Sequence, residues 1–195
     1  MKPELIQQVM TDGIELRKAC MATVSQPLRD AAQAIVDGIE GGGKILACGN
    51  GGSAADAQPS AAELVNRVES NRRGLPAVAL THDASVITSI ANDFSFDQVF
   101  SRQVEALGRP GDLLLAISTS GTSNNVSAAA DAAAAVGMQT IALTGRDGGT
   151  LGSNKTIKFH INIAHNSTPR IQEMHITCLH IICSLVDQHM FGDKP

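Results

Sequence analysis

The amino-acid sequence predicts an α/β fold in which a parallel β-sheet is covered by helices on both faces. Three observations support this prediction: short apolar runs with the length of buried strands, helical stretches between these runs, and loops rich in glycine and serine directly after two of them. Strands that alternate with helices are joined by right-handed crossovers, which make the sheet parallel. The predicted strands are KILACGN (44–50), LPAVAL (75–80), DLLLAIS (112–118), QTIALTG (139–145) and IKFHINI (157–163).

Helices are predicted where apolar residues recur at helical spacing between residues that begin or end a helix. Residues 3–40 carry two such patterns. The second begins near Pro27, because proline suits the first turn of a helix, and it ends at the glycines of 41–43. We therefore expect an N-terminal helical hairpin. The other predicted helices span about 60–69, 84–92, 95–107, 123–136 and 168–191.

The last predicted helix contains ITCLHIICSLV, which is apolar nearly all round. A helix of this kind must be covered on every side, and one small sheet cannot do that. We therefore expect the chain, as a single domain over residues 1–195, to form an oligomer in which the N-terminal helices within 1–43 take part.

Composition and charge argue against several classes of protein. With 43% hydrophobic and 17% charged residues, the chain is expected to be globular. A net charge of −4, no run of Lys or Arg, and no Trp or Tyr argue against direct nucleic-acid binding. No apolar stretch reaches membrane-spanning length and no leader pattern begins the sequence, so we expect a cytoplasmic protein without a membrane partner. The cysteines, expected to be reduced core residues because they share no metal or redox spacing, are Cys20, Cys48, Cys178 and Cys183.

Two loops are candidate ligand-binding sites: CGNGGS (48–53) and STSGTS (118–123). Each follows a predicted buried strand and precedes a helix, and ligands of open parallel sheets bind beyond the carboxyl ends of the strands. Either loop alone would be explained by ordinary turn and N-cap residues. Two loops at one sheet edge instead favour a small phosphorylated ligand. The candidate binding residues are glycines, which admit close approach of a ligand, and residues with hydroxyls beside helix N-termini. They are Gly51, Gly52, Ser53, Ser118, Thr119, Ser120 and Ser123.

A nucleotide cofactor is not expected at these loops. Neither loop has the lysine of a P-loop, which argues against a nucleoside triphosphate with Mg²⁺. The stretch from Gly49 to Ala54 fits G-x-G-x-x-A, but a dinucleotide site also needs an acidic residue near the end of the next strand. Glu69, at about the right distance, falls in a predicted helix or loop instead.

The order and spacing of five motifs resemble the sugar isomerase (SIS) domain family, and within it the phosphoheptose isomerases. The motifs are CGNGGSAADAQ, SIANDFSFDQVFSRQVEALG, GDLLLAISTSGTS, ALTGRDGG and RIQEMHITCLH. The resemblance covers residues 44 to about 190 and is weakest over GGTLGSNKTIKFHINIAHNSTP. It implies a flavodoxin-like α/β sandwich in a homotetramer whose subunits share active sites. It also implies interconversion of sedoheptulose 7-phosphate and D-glycero-D-manno-heptose 7-phosphate, on the route to the heptose of lipopolysaccharide.

The resemblance also implies roles for individual residues. Glu63 would be the base and His180 the acid of the proton transfers, with Gln172 beside His180. An aldose–ketose conversion needs such a couple, because one proton moves between neighbouring carbons while the oxygens exchange another. We expect His180 to be buried, since Leu179 and Ile181 flank it. The implied sugar-binding residues are Asn50, Gly51 and Gly52, with Asn92 and Asp93 from the loop after the second strand; those for the phosphate are Ser118, Thr119, Ser120 and Ser123.

Pro59 departs from the family pattern. Several family members bind zinc through a histidine, this glutamate, this glutamine and this last histidine, and Pro59 stands where the first histidine is expected. Proline cannot ligate a metal, so the remaining candidate ligands are Glu63, Gln172 and His180. Catalytic zinc sites usually have more nitrogen donors than this set, and we therefore expect weak zinc binding.

Pro59 also leaves two local structures open. Ser60-Ala-Ala-Glu63 fits a capping box, in which a helix starts at Ser60 and Glu63 caps it. In the other structure the helix continues through a kink at Pro59, and Glu63 points inward. The sequence favours the kinked helix without deciding between them.

A non-catalytic function is the alternative to isomerase activity. The same fold serves the DnaA initiator-associating protein, a tetramer that binds the replication initiator DnaA and that shares RIQEMH and an apolar ending comparable to Met190-Phe191. That relative lacks the matched glutamate and last histidine. Because this chain has Glu63, Gln172 and His180, isomerase activity is the prediction, and sugar phosphate rather than DnaA is the expected partner.

Overall fold

The computed structural model describes residues 3–69 and 71–192, and the ends of the predicted ranges 1–43 and 1–195 lie outside this description. A five-stranded parallel sheet forms the centre of the molecule, with the strand order β2-β1-β3-β4-β5. After β1 the chain connects to β2 on one side, and after β3 it connects to β4 on the other side, so the carboxyl ends of β1 and β3 flank the topological switch point. This is the flavodoxin-like order, and the predicted α/β fold is confirmed. The strands are β1 Ile45–Gly49, β2 Ala77–Ala79, β3 Leu113–Ser118, β4 Gln139–Gly145 and β5 Phe159–Ile163.

Helices cover both faces of the sheet. Successive strand residues, such as Ile45 and Leu46, point to opposite faces of the sheet and belong to two separate apolar clusters. The predicted helix over 95–107 is divided into a 3₁₀ turn, Phe96–Gln98, and a short α-helix. The helices are α1 Pro3–Glu40, α2 Gly52–Val65, α3 Ala84–Asp93, α4 Ser101–Leu107, α5 Asn124–Ala135, α6 Gly149–Ser153 and α7 Thr168–Phe191. Residues of α1, α2 and α7 form the cluster on one face, and residues of α4 and α5 contribute to the other.

The predicted N-terminal hairpin is wrong, because α1 is one helix that continues through Pro27. Its buried residues recur every three or four positions on both sides of the proline, as in Cys20, Val24, Leu28 and Ala31. This single apolar stripe packs against α7 and β5, and its burial outweighs the preference of proline for a first turn. Between residues 14 and 37 there is also no glycine or asparagine that would favour a reversal of the chain.

The surface of α1 remains apolar beyond the buried stripe. Ile6, Met10 and Met21 are 69%, 65% and 64% exposed, and Ile181 of α7 is 41% exposed. The helix α7, which was expected to be covered on every side, therefore buries one face in this chain and leaves part of the other open. None of the helices in the described part of the chain is long and apolar enough to cross a membrane.

Candidate active site

The loop after β1 brings the backbone of the chain to the edge of the sheet. Gly51 has φ +54°, a left-handed conformation that favours glycine, and α2 begins at the next residue. A Cβ on Gly49 would lie 2.8 Å from Ser53, so this turn closes only around a glycine. Asn50 accepts a hydrogen bond from the backbone N–H of Ser53 at 2.9 Å. The loop thus presents exposed Gly51 and Gly52 at the N-terminus of α2.

The loop after β3 gathers hydroxyl groups. Ser118 Oγ lies 2.9 Å from Ser123 Oγ and 3.5 Å from Ser120 Oγ, with Thr119 half-buried between them. The backbone N–H of Gly121 donates to Ser118 Oγ at 3.2 Å. Ser123 is the N-cap of α5 but makes no side-chain capping bond. The first-turn amides of α5 and the clustered hydroxyls can therefore bind an anion such as a phosphate group.

A reciprocal amide pair links the two loops. Asn50 Nδ2 donates to Asn125 Oδ1, and Asn125 Nδ2 donates to Asn50 Oδ1, both at 2.8 Å. Asn125 lies in the first turn of α5 and is only 2% exposed. The pair fixes the N-termini of α2 and α5 on either side of the switch point. Asn50 was expected from the family resemblance, whereas Asn125 was not predicted. The only feature that could have indicated Asn125 is a polar residue on the buried side of an alanine-rich helix.

The loop after β4 packs against residues 118–123, the serine loop. Gly121 has φ +68°, and a Cβ there would lie 2.0 Å from the carbonyl oxygen of Gly148. The carbonyl of Gly121 accepts hydrogen bonds from Leu151 N at 2.9 Å and Thr150 Oγ1 at 3.0 Å. The sequence did not predict α6, which supplies both donors.

Glu63 and His180 are in direct contact. Glu63 Oε1 lies 2.6 Å from His180 Nδ1, so α2 and α7 bring together residues that are distant in the sequence. The Glu63 side chain is 17% exposed, and its Oε2 is buried with no hydrogen-bond partner among the described residues. His180 was expected to be buried, but its side chain is 50% exposed. The reason is that Leu179 and Ile182 of α7 pack in the core. Position 180 therefore lies on the side of α7 that faces α2.

Pro59 lies inside a continuous α2, so the alternative that starts a helix at Ser60 is wrong. Ser60 Oγ donates to the carbonyl of Asp56 at 2.7 Å and does not cap a helix start. Proline has no N–H, so the carbonyl of Ala55 loses its partner four residues ahead. The helix nevertheless continues to Val65, and Glu63 contacts His180 of α7.

Asp56 is a further acidic residue near this couple that sequence analysis missed. It lies about two turns before Glu63 on the same face of α2. Burial raises the pKa of Asp56 to about 6, although the nearby His180 opposes the rise. Its Oδ2 is buried and has no partner among the described residues.

Cys183 lies beside Glu63 on the next turn of α7 after His180. Burial is the main cause that raises the pKa of its thiol, and the neighbouring Glu63 carboxylate raises it further. Together with Cys20, Cys48 and Cys178 it is free and buried, as expected. The thiol therefore stays neutral and presents no second charge to Glu63.

The residues of this chain do not fit a zinc site. Gln172 packs against the start of α2, where a Cβ on Gly52 would lie 2.0 Å from its Nε2. In the described part of the chain no three His, Cys, Asp or Glu residues are placed to hold a metal ion, and Pro59 offers no donor atom.

Asn92 and Asp93 lie at the end of α3. They were expected in a loop after β2, but they form the last turn of α3. Both are exposed, and Asn92 Nδ2 donates to Asp93 Oδ1 at 2.8 Å. The described residues show no hydrogen bond from either side chain to the glycine or serine loop.

Comparisons with known proteins agree with this geometry. The family model described as the SIS domain matches residues 10–145. The chain is 49% identical over 195 residues to the phosphoheptose isomerase of Methylibium petroleiphilum, which covers 100% of this chain and 98% of the relative. Among solved structures, the phosphoheptose isomerase GmhA of Neisseria gonorrhoeae is similar with a TM-score of 0.89 and 45% identity, over 95% of this chain and 98% of that one. A phosphoheptose isomerase of Francisella tularensis has a TM-score of 0.92 and 37% identity, over 96% and 100% of the two chains.

Proposed function

Since this chain belongs to the SIS domain family and, within it, to the phosphoheptose isomerases, we propose that it interconverts sedoheptulose 7-phosphate and D-glycero-D-manno-heptose 7-phosphate. The observation that carries the proposal is the 2.6 Å contact between Glu63 Oε1 and His180 Nδ1. An aldose–ketose conversion needs one group that moves a proton between carbons and one that moves a proton between oxygens, and this contact supplies both.

The proton transfers follow from the chemistry of the couple. Glu63, as a carboxylate, removes a proton from C1 of the ketose, and the electron pair forms the C1–C2 double bond. The C2 oxygen takes a proton from His180, which gives an enediol. Glu63 then returns its proton to C2, while the C1 hydroxyl gives its proton back to His180 and becomes the aldehyde. Both residues end in their starting states, and no other reactant is consumed.

The two loops orient the substrate for this exchange. The hydroxyls of Ser118, Ser120 and Ser123 and the first-turn amides of α5 bind the phosphate group. The exposed Gly51–Gly52 segment at the start of α2, with Gln172 packed against it, lies along the sugar. A substrate held at its phosphate end places the reacting carbons at a fixed distance from the serine loop.

Metal is outside the proposed reaction. A zinc ion could act as a Lewis acid on the sugar oxygens, but the donor set here lacks the first histidine. We therefore expect zinc to bind weakly at Glu63, Gln172 and His180. Stoichiometric zinc in the purified protein would contradict this expectation.

The assembly we propose is a homotetramer that acts in the cytoplasm. Support comes from a groove of about 590 Å³ between α1 and α7, lined by Met21, Val24, Met174 and Ile181. Ile181, one of its exposed apolar residues, directly follows His180 in α7. A second copy seated there would cover this apolar surface.

Turnover with the natural sugar tests the proposal. Purified protein is mixed with sedoheptulose 7-phosphate, after chelator treatment and again with added zinc, and the aldose is measured by NMR. We expect aldose in both samples, a rate roughly 1,000-fold lower with Glu63→Gln, and normal amounts with the exposed control Glu69→Gln. If neither sample shows turnover and the protein binds tightly to DnaA, the result would favour the non-catalytic alternative.

A further inference from the structure

We propose that Arg72 is a positioning residue for the acid–base couple, because its guanidinium joins the end of α2 to α7 and so sets where Glu63 meets His180. This inference rests on the proposed isomerase function. Arg72 follows α2 in the connection to β2, and nothing in its sequence surroundings distinguishes it from Arg67 or Arg73.

The guanidinium of Arg72 contacts both helices that carry the couple. Its side chain is only 2% exposed. Nη2 donates to the backbone carbonyl of Glu63 at 2.6 Å, and Nη1 donates to that of Leu64 at 2.6 Å. Nε donates to Asp187 Oδ1 at 2.9 Å. One side chain therefore binds the backbone of the proposed base and the helix of the proposed acid.

Asp187 extends this link towards His180. The two residues are about two turns apart on α7, so their side chains project from the same face. Cys183, between them on that face, is close enough to Glu63, Asp187 and Arg72 for all three charges to affect the pKa of its thiol. Residues 180, 183 and 187 thus form the side of α7 that meets the last turn of α2.

The end of α2 needs an anchor of this kind. The carbonyls of a last helical turn have no partner within the helix, and the helix dipole places negative charge there. In α2 the interior bond to Ala55 is also missing, because Pro59 has no N–H. The segment from Pro59 to Val65, which includes Glu63, is therefore joined to the first half of α2 by fewer backbone bonds. The planar guanidinium satisfies two of its terminal carbonyls at once.

Arg72 acts on protein groups and not on the substrate. Its side chain is covered, and its hydrogen bonds go to backbone carbonyls and to Asp187. The ring of Phe191, with its centroid 5.8 Å from Cζ, lies close to the guanidinium. An arginine so covered by protein groups orients the couple and does not bind phosphate.

Arg72→Lys is the test variant, because lysine keeps the charge but replaces the planar fork with one compact donor group. Arg73→Lys is the matched control, since Arg73 is the next residue, is exposed and lies 5.8 Å from the same ring. We expect Arg72→Lys to lower kcat roughly 10- to 100-fold. KM should change little, because the serine loop that binds the phosphate is untouched. Arg73→Lys should match the unmodified chain.

A double-variant comparison separates positioning from general loss of structure. In a Glu63→Gln background, a residue that acts through Glu63 has nothing left to position, so adding Arg72→Lys should not lower the residual rate further. A second full loss in that background would overturn the inference. Unchanged kcat in well-folded Arg72→Lys would also overturn it.

A spectroscopic measurement keeps the test independent of turnover. The ¹⁵N signals of the His180 imidazole, assigned with His180→Gln, report its contact with Glu63 at fixed pH. We expect Arg72→Lys to shift the Nδ1 signal and Arg73→Lys to leave it in place. Should Arg72→Lys not fold, Asp187→Asn releases the other end of the link and should shift the signal in the same direction. An unmoved signal in both variants overturns the inference, whereas absent turnover with a shifted signal counts against the proposed function alone.

Discussion

The two oxygens of the Glu63 carboxylate have different surroundings. Oε1 contacts His180, and Oε2 is buried without a hydrogen-bond partner among the described residues. A buried, unpartnered acceptor is costly to maintain, so such groups are rare in folded proteins. At this position the buried oxygen belongs to the residue that we propose as the base. Asp56 adds a second buried carboxyl oxygen on the same face of α2.

The raised pKa of Asp56 predicts a specific pH dependence of stability. With a pKa of about 6 in the folded chain and near 4 when unfolded, the folded state binds the extra proton between these values. Stability is therefore expected to fall as the pH rises from about 4 to about 6. Asp56→Asn lacks this decrease, so its melting temperature relative to the unmodified chain should rise between pH 4 and pH 7.

Thermal unfolding at a series of pH values checks this prediction. The control is Asp97→Asn, which removes an exposed carboxylate. A difference between Asp56→Asn and the unmodified chain that stays constant over the range would mean that Asp56 is not perturbed.

At the level of secondary-structure elements, the two ends of the sheet have different roles: one carries the candidate binding loops, and the other holds contacts that stabilise the fold. The carboxyl ends of β1 and β3 carry the glycine and serine loops, whereas their amino ends are joined by Asp112. This carboxylate is 3% exposed and accepts hydrogen bonds from Lys44 N and Arg109 N, both at 2.9 Å. Lys44 Nζ completes the set with an ion pair. The strands are thus fixed in register at the end opposite to the site.

Asp112→Ala should destabilise the fold without changing the site. Its loss leaves buried donors and a lysine unpaired, which costs about 3 kcal/mol in the free energy of unfolding. Urea denaturation measures this cost, with the exposed Asp12→Ala as the control. Affinity of the folded variant for sugar phosphate should be unchanged. A loss below about 1 kcal/mol would show that Asp112 is not a structural anchor.

For the molecule as a whole, α1 and α7 carry apolar surface that no other described part of this chain covers. Met21 is 64% exposed and Ile181 is 41% exposed, and both line the groove between these helices. Apolar surface on two neighbouring helices is typical of a contact with another protein chain. The proposed tetramer would use this surface as a subunit contact.

Charged substitutions in the groove should weaken the assembly. We expect the double variant Met21→Lys, Ile181→Lys to sediment as smaller species than the unmodified chain at equal concentration. Val65→Lys is the control, because Val65 is an exposed apolar residue of α2, 51% accessible, outside the groove. A sedimentation profile unchanged by the double variant would exclude the groove as the subunit contact.

What the sequence could predict depended on the range of the contacts involved. The strands and the two loops follow from adjacent residues, such as the apolar runs that end at Gly49 and Ser118, and they were predicted correctly. The Asn50–Asn125 pair and the contacts of Arg72 join residues far apart in the chain, so no local pattern reveals them. At Pro27 the local preference for a helix start was misleading, because tertiary burial of the α1 stripe decided the structure.

Proton exchange with solvent tests whether the Glu63–His180 couple moves the proton between C1 and C2. The protein is incubated with sedoheptulose 7-phosphate in D₂O, and deuterium on these carbons is followed by NMR. We expect exchange by the unmodified chain and a rate roughly 1,000-fold lower in Glu63→Gln, with the oligomeric state unchanged. Exchange by Glu63→Gln at a rate close to that of the unmodified chain would contradict this expectation.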